Sequence, residues 1–485
     1  MPVLPTPGFD LIPSAERVPT IANYLTDQQF NFLNQYLPDT YEKEFERYGN
    51  RSISSFLRMV GAEMPSTSDL IKWAEQGRLH IKYTQCTSGA AAAQDTATWT
   101  IADNLTPTVG GGVTTAGNGG IALREGQTIM ISDNTAGSNL SNKAIITAVN
   151  YAAGTIDVAY YEANGQAVAA GVQCTIWIYG SEFAKATEGM VETLESDDYI
   201  FDNSPIIIKD QFRVSGSDMA QIGWIEISGE DGVNGYLWYL KSEHDTRLRF
   251  EDYLETAMIE AVPAEANSGV AALTPSLANP SGNKGSEGVF FVVEQRGNVF
   301  GGGNPTTLAD FDTIIQRLDN QGSIEENVLF VNRQFSFDMD DMLAAQNSYG
   351  AGGSSYGLFD NDEEMALNLG FSGFRRGYDF YKTDWKYLND PTMRGGLVGG
   401  AVNGLLVPAG STTVYDQVLG KNAKRPFLHV RYRASETEDR RYKTWITGSA
   451  GPSRTNSLDA MEVHFLSERC ICTLGANNFF LFTNS

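Results

Sequence analysis

The hydrophobic positions change period along the chain, and those changes mark its elements. Thr26 with Gln29 forms a capping-box pattern ahead of Phe30, Leu33 and Leu37, and Pro38 stops the predicted helix. Asp39 with Glu42 is a similar start signal. Ile53, Phe56, Leu57 and Val60 follow the spacing of an amphipathic helix, and Gly61 closes it. Ser68 to Gln76, followed by Gly77, is predicted as a further short helix. Between Thr84 and about Gly180 the chain turns to Gly, Ala, Thr, Ser and Val with few charges. Four β-prone runs stand there: Gln127–Ile131, Ala144–Val149, Thr155–Tyr160 and Cys174–Ile178. They predict a small β module set between two parts of a host domain.

Extended pattern returns from Glu182 to Gly229, with Ile206–Val214 as a strand. Val233 to Ala261 predicts one long helix, ended by Pro263. Its Leu237, Leu240, Leu248, Leu254 and Met258 fall within roughly 120° of one another, and charges such as Glu243, Arg247 and Glu251 cover the rest. Thr307 with Asp310 opens a helix bearing Leu308, Phe311, Ile314, Ile315 and Leu318. Val328–Val331 has the look of a buried strand, and Ser336 is placed as the cap of a short helix after it. Most of the remainder predicts strands: Leu405–Pro408, Pro426–Tyr432, Glu462–Leu466 and Asn478–Phe482. The class is α+β, with no repeat at a fixed period.

Composition narrows the partners. The 485 residues allow two to four compact units. With 42% hydrophobic and 19% charged residues the chain is globular and not disordered. A formal net charge of -24 opposes tight binding of nucleic acid, which needs a basic stripe to neutralise phosphates. The strongest local exceptions, Arg375-Arg376 and Arg431 through Lys443, are mixed with aromatics or acids. Cys86, Cys174, Cys470 and Cys472 are too few and scattered for a disulfide framework. The opening residues show neither the basic nor the apolar region of a secretory signal, and no apolar run of roughly 18 residues predicts a membrane span. Synthesis in a reducing cytoplasm is expected.

Each candidate for chemistry has a plainer explanation. Asp338, Asp340 and Asp341 could form a metal-binding carboxylate cluster, but acids are also favoured near a helix start. Asp360, Asp362 and Glu364 alternate as at the start of a calcium loop, yet Met365 stands where the loop needs glycine. Cys470 and Cys472 with His464 suggest zinc, but no second ligand pair lies nearby in sequence. His80, His244, His429 and His464 form no H-E-x-x-H pattern. Gly353–Gly357 matches G-x-S-x-G without the strand before and helix after that a nucleophile elbow requires. The runs at Gly110 and Gly301 lack the Gly-Lys-Ser/Thr of a phosphate loop. No catalytic residue, cofactor site or metal site is assigned, and no enzyme activity is expected.

The order of elements resembles the Hong Kong 97-type capsid fold of tailed-phage major capsid proteins. Three stretches are similar to those of crAss-like phages: Ser68–His80, Tyr179–Phe183 together with Ile208–Asp218, and Val328–Arg333. The resemblance implies an N-terminal arm and helices over 1–60, a first part of the peripheral domain over 61–83, an inserted β domain over 84–180 and an extended loop over 181–229. It further implies the peripheral domain's spine helix over 230–264, the axial domain over 265–400, and return strands of both domains over 401–485. The implied function is a major capsid protein that assembles into hexamers and pentamers of an icosahedral head, made in the bacterial cytoplasm and resident in the virion. Implied partners are other copies, accessory or head-decoration proteins met through the inserted domain, a portal at one vertex, and packaged double-stranded DNA held loosely; no membrane is expected. A nanocompartment shell protein, a β-rich glycan hydrolase with an inserted binding module, and a tail or portal component are the alternatives.

Overall fold

The computed structural model describes residues 62–77, 80, 82–101, 122–190, 198–220, 227–228, 234–235, 238–265, 268–270, 283–321, 324–347, 372–416, 421–452 and 454–484. The helices predicted before Gly61, the acidic alternation at Asp360 and the Gly353–Gly357 string lie outside them.

The chain opens with β1 (Ala62–Ser66) and β2 (Ile71–Gln76). The second corrects the short helix predicted over Ser68–Gln76. Ile71, Trp73 and Glu75 are half-buried while Lys72, Ala74 and Gln76 are exposed, which is the two-residue period of a strand. β2 pairs antiparallel with β9 (Asp198–Asn203), from Ile71↔Asn203 to Gln76↔Asp198. That partner lies far along the chain, so pairing overrides a helix-like composition.

Between these two strands the chain builds a closed barrel. Its strands are β3 (Lys82–Ser88), β4 (Thr96–Thr100), β5 (Gln127–Asp133), β6 (Ser141–Asn150), β7 (Thr155–Tyr160) and β8 (Cys174–Ser181), in the spatial order β3-β4-β7-β6-β5-β8. Alternation fills the interior: in β4, Ala97 and Trp99 point in and the three threonines point out. Tyr83, Trp99, Ile129, Ile131, Ile146, Ile156, Val158 and Ile176 form a core of the barrel's own. Full closure leaves no unpaired strand edge.

The body follows. β10 (Ile206–Ser215) leads into the short helix α1 (Gly216–Met219), whose Asp218 N–H is capped by Ser215. The segment expected as an extended loop over 181–229 is thus divided, because β10 carries buried Val214 and pairs with β22 (Ala460–Thr473) over its whole length. A minimal pair, β11 (Ile227–Ser228) and β12 (Asn234–Gly235), precedes the long helix α2 (Trp238–Glu260). Then come α3 (Val289–Arg296), β13 (Asn298–Phe300), α4 (Leu308–Gln321), β14 (Glu326–Val331), α5 (Arg333–Asn347), β15 (Gly373–Arg376), β16 (Tyr378–Asp384) and α6 (Lys386–Asn389). The chain ends with β17 (Val402–Pro408), β18 (Ser411–Asp416), β19 (Lys421–Pro426), β20 (Leu428–Arg433), β21 (Lys443–Gly448), β22 and β23 (Phe480–Thr483).

Two sheets organise this body. One runs β1-β20-β22-β10, with β21 also on β22; the other runs β13-β23-β17-β14-β16-β15. Phe250 and Leu254 of α2 pack against Val214, Met461, Val463 and Phe465 of the first sheet. Phe311, Ile314 and Leu318 of α4 and Phe335, Met339 and Met342 of α5 cover the second, against Leu329, Phe380, Leu406 and Phe480. A third cluster joins the two sheets, bringing Met258, Val289, Phe290, Phe330, Trp385, Leu405, Leu428, Ile471 and Leu481 together. Helix α4 starts as its sequence predicts: Asp310 donates its N–H to Thr307 Oγ1 and accepts the Thr307 N–H, at 3.3 and 3.1 Å.

Candidate interaction surfaces

The acidic cluster on α5 separates into unrelated contacts. Its helix begins at Arg333, and the cap is Asn332, which accepts the Phe335 N–H at 2.7 Å. Ser336 is inside the helix and buried, a correction to its predicted place as the cap. Asp338 accepts from Asn304 Nδ2 at 2.6 Å and from Gln334 Nε2 at 2.9 Å. Asp340 pairs with Lys382 Nζ at 2.5 Å, both side chains nearly buried, while Asp341 is exposed. The Asp338 and Asp340 carboxylates are therefore held apart by their own partners.

The cysteines sit in cores. Cys86 and Cys174 face each other across β3 and β8, both fully buried and neither in a disulfide. Burial, then the charge of Asp133, pushes the Cys174 thiol up to about 11, away from the reactive thiolate. Cys470 and Cys472 are buried on β22, opposite Arg431 and His429 of β20. The hydrogen bond with Cys472, followed by burial, raises the Cys470 pKa. His464 is six residues further back on the strand, roughly 20 Å at 3.3 Å per residue. Its Nε2 lies 2.8 Å from Thr447 Oγ1, and its ring stacks on Trp445. His80 is exposed, and His244 Nδ1 lies 3.2 Å from an Arg247 guanidinium nitrogen. Among the described residues no three His, Cys, Asp or Glu side chains converge as metal ligands, and no helix is long and apolar enough to cross a membrane. Gly303, in the Gly301 run, is at φ +84° and donates its N–H to the Thr483 carbonyl, which is a turn and not a phosphate cradle.

Both basic patches are internally neutralised. Arg433 meets Asp69 and Glu468, Arg440 lies 2.8 Å from Glu468, and Arg441 and Arg469 share Glu63. Lys443 holds Glu438 at 2.6 Å. Arg375 meets Asp379 at 3.2 Å, and Arg376 grips both Asp312 oxygens through Nε and Nη2 of one guanidinium edge. Charges engaged this way offer little to a polyphosphate backbone.

Three further features were not foreseen. The C-terminal end of α2 is fastened to the second half of the body: Glu260 takes Arg394 at 2.7 and 2.8 Å and accepts the Tyr387 hydroxyl at 2.6 Å. Arg394 also lies over the Phe290 ring, 5.1 Å from its centroid. The ribbon of β2 and β9 exposes apolar surface, with Ile200 70% accessible.

The third feature is a groove of about 840 Å³ on the barrel's outer wall. Ser141, Asn142 and Lys143 of β6 form one side, Tyr160–Glu162 and Gly165 the turn above, and Tyr179–Ser181 of β8 with the following Glu182 the other side. Thr128 pairs with Gly180 and Ile129 with Ile178, so Tyr179 is the extra residue of a β-bulge. Bulges redirect a side chain out of the regular alternation. Lys143 Nζ lies 5.6 Å from the Tyr179 ring centroid, and Trp177 meets that ring edge-on at 6.1 Å. Tyr161 donates its hydroxyl to Glu182 at 2.6 Å; desolvation first, and that bond second, push its pKa up to about 12. Outward aromatics on barrel strands were the available sequence signal, since Tyr161, Trp177 and Tyr179 all adjoin or lie in predicted strands.

No family model matches the sequence, and no curated protein matches it. Solved structures do. A chain of Microbacterium phage Oxtober96 superposes with a TM-score of 0.38 at 10% identity, covering 94% of this chain and 98% of that one. The capsid of an empty GTA particle gives 0.36 at 10% identity, covering 92% and 95%. The encapsulin of the holo-SrpI complex from Synechococcus elongatus gives 0.30 at 12% identity, over 61% and 78%.

Proposed function

We propose that the chain is a shell subunit, the major capsid protein of a crAss-like tailed phage, which self-assembles into hexamers and pentamers around packaged double-stranded DNA. The observation that carries this reading is the arrangement of elements: a two-stranded ribbon with an inserted barrel, a 23-residue helix along one sheet, a second sheet under two helices, and terminal strands returning to both. The long helix, the helix–strand part and the terminal strands follow in the order on which the sequence resemblance rests. Ribbon β2–β9 then serves as the root of the extended loop, with the barrel as an outward module for neighbouring capsomers or decoration proteins. Helix α2 is the spine of the peripheral domain, and the six-stranded sheet belongs to the axial domain. The neutralised arginines suit a container that holds DNA loosely. A portal at one vertex and residence in the virion follow from the same reading.

Assembly needs contacts that are individually weak and collectively sufficient. Exposed Ile200 on the ribbon suits such a contact. Negative-stain microscopy of the purified chain is expected to show capsomers or closed shells, and Ile200→Glu is expected to shift the population toward free subunits. A persistent monomer that hydrolyses glycans would overturn the reading in favour of an enzyme. Single rings without closure would overturn it in favour of a portal or tail part.

A further inference from the structure

We propose that the groove between β6 and β8 of the barrel binds a neutral oligosaccharide, with Tyr179 and Tyr161 as stacking faces and Asn142, Lys143 and Glu182 as hydrogen-bonding groups. The site belongs to the barrel alone and stands whether or not the chain forms shells.

The size and lining select the ligand class. About 840 Å³ lies inside the roughly 300–1,000 Å³ range of small-ligand sites. Sugars present two kinds of surface, an apolar C–H face that lies on aromatic rings and a rim of hydroxyls that donate and accept. The groove carries both. Tyr179 and Tyr161 keep 42% and 50% of their surface accessible, although the Tyr179 ring meets Trp177 and the Tyr161 hydroxyl is held by Glu182. An aromatic held open on a rigid strand contributes contact area with little ordering cost.

The polar groups are positioned in advance. Asn142 Oδ1 accepts the Ala167 N–H at 3.0 Å, which fixes the amide orientation and leaves its Nδ2 donors for a ligand. Glu182 is oriented by the Tyr161 hydroxyl, with its second oxygen as an acceptor. Lys143 is held near the Tyr179 ring and supplies a donor. The wall itself is tightly built: a Cβ on Gly165 would come 2.6 Å from both the Glu162 carbonyl oxygen and the Tyr160 Cβ. The turn therefore closes directly over Tyr160, whose hydroxyl accepts the Trp99 Nε1–H at 3.0 Å from the barrel core.

Charge excludes the main competitors. Glu162 and Glu182 outnumber Lys143, so a nucleic acid or other polyanion is repelled. A purely apolar segment would leave the groove's polar groups desolvated and unpaired.

The test uses the full chain and saturation-transfer NMR with maltohexaose, cellohexaose, mannohexaose and N-acetylchitohexaose as probes. At least one is expected to receive saturation. Tyr179→Ala is expected to weaken that signal by about tenfold or more, and Tyr179→Phe to keep most of it, because the ring and not the hydroxyl does the stacking. Tyr179 is exposed, so thermal melting should report an intact barrel in both variants. Lys-Lys-Lys peptide is the comparison probe. The proposal is overturned if no oligosaccharide binds, if binding is unchanged in Tyr179→Ala, or if only the peptide binds in a Tyr179-dependent way.

Discussion

Every wall of the barrel comes from one stretch of chain, Lys82 to Ser181, and its core is closed by antiparallel neighbours within that stretch. The body is built the opposite way. Met258 of α2, Phe330 of β14, Leu405 of β17 and Ile471 of β22 share one core although long stretches of sequence separate them. The barrel can therefore lose its order without dismantling the body, whereas a body contact couples segments from the whole chain. Contacts of high sequence separation are also slower to form, because loop closure precedes their reward.

The largest expected effect breaks the barrel alone. Trp99 is 1% exposed and bonded to Tyr160, so Trp99→Ala should cost about 3–5 kcal/mol through lost burial and a cavity. Calorimetry is expected to show one transition falling while a second, from the body, stays in place. A single transition that moves as a whole would show that barrel and body unfold together, and the comparison would fail.

The next effect falls on the body. Glu260→Ala removes the two bonds that Arg394 makes to the carboxylate, leaving only its bond to the Gly400 carbonyl, and strips Tyr387 of its acceptor at a partly buried site. The expected cost is about 1–3 kcal/mol, confined to the body's transition. Glu260→Gln should recover part of it, since the amide oxygen still accepts.

A pH scan compares the regions directly, because both hold tyrosines raised above the usual 10.0, with Tyr161 in the barrel and Tyr442 in the body each pushed up to about 12. In the barrel Tyr161 is raised by desolvation and then by Glu182; in the body Tyr442 is raised by burial and then by Glu251. With the folded pKa above the unfolded one, the stabilisation is full below pH 10 and is lost as pH rises toward 12. Both transitions should drop across that window. Tyr161→Phe should reduce the drop of the barrel only and Tyr442→Phe that of the body only, each leaving the part carried by the other raised tyrosines, Tyr83 and Tyr160 in the barrel and Tyr387 in the body; phenolate absorbance during melting follows it.

The same contrast governs what could be read from the sequence. Gln127–Ile131, Ala144–Val149, Thr155–Tyr160 and Cys174–Ile178 fall on β5 to β8, because local antiparallel neighbours preserve a clean alternation. The Thr307–Asp310 cap was legible for the same reason, being complete within four residues. Ser68–Gln76 was not, since its strand partner is β9. The Asp340–Lys382 pair was equally invisible, its members being 42 residues apart and on different elements. Ser336 was chosen as a cap because its residue type fits, while Asn332, one turn earlier, does the work. The groove escaped notice because Tyr179 depends on a bulge, an irregularity in pairing that periodicity does not register.

The smallest effect tests how α2 is held at its exposed edge. Arg249 reaches Asp210 of β10 with two guanidinium nitrogens, at 3.2 and 3.1 Å, but its side chain is 52% accessible. Water and salt compete for such a pair, so Arg249→Ala should cost only about 0.2–1 kcal/mol, and less at high ionic strength. Apolar contacts of Phe250 and Leu254 already seat this part of the helix on the first sheet, which leaves the ion pair to fix its lateral register. A cost as large as that of Glu260→Ala, insensitive to salt, would mean that the charged edge and not the apolar face anchors α2. In the shell reading the helix edge would then be committed within its own subunit and unavailable to a neighbour's loop.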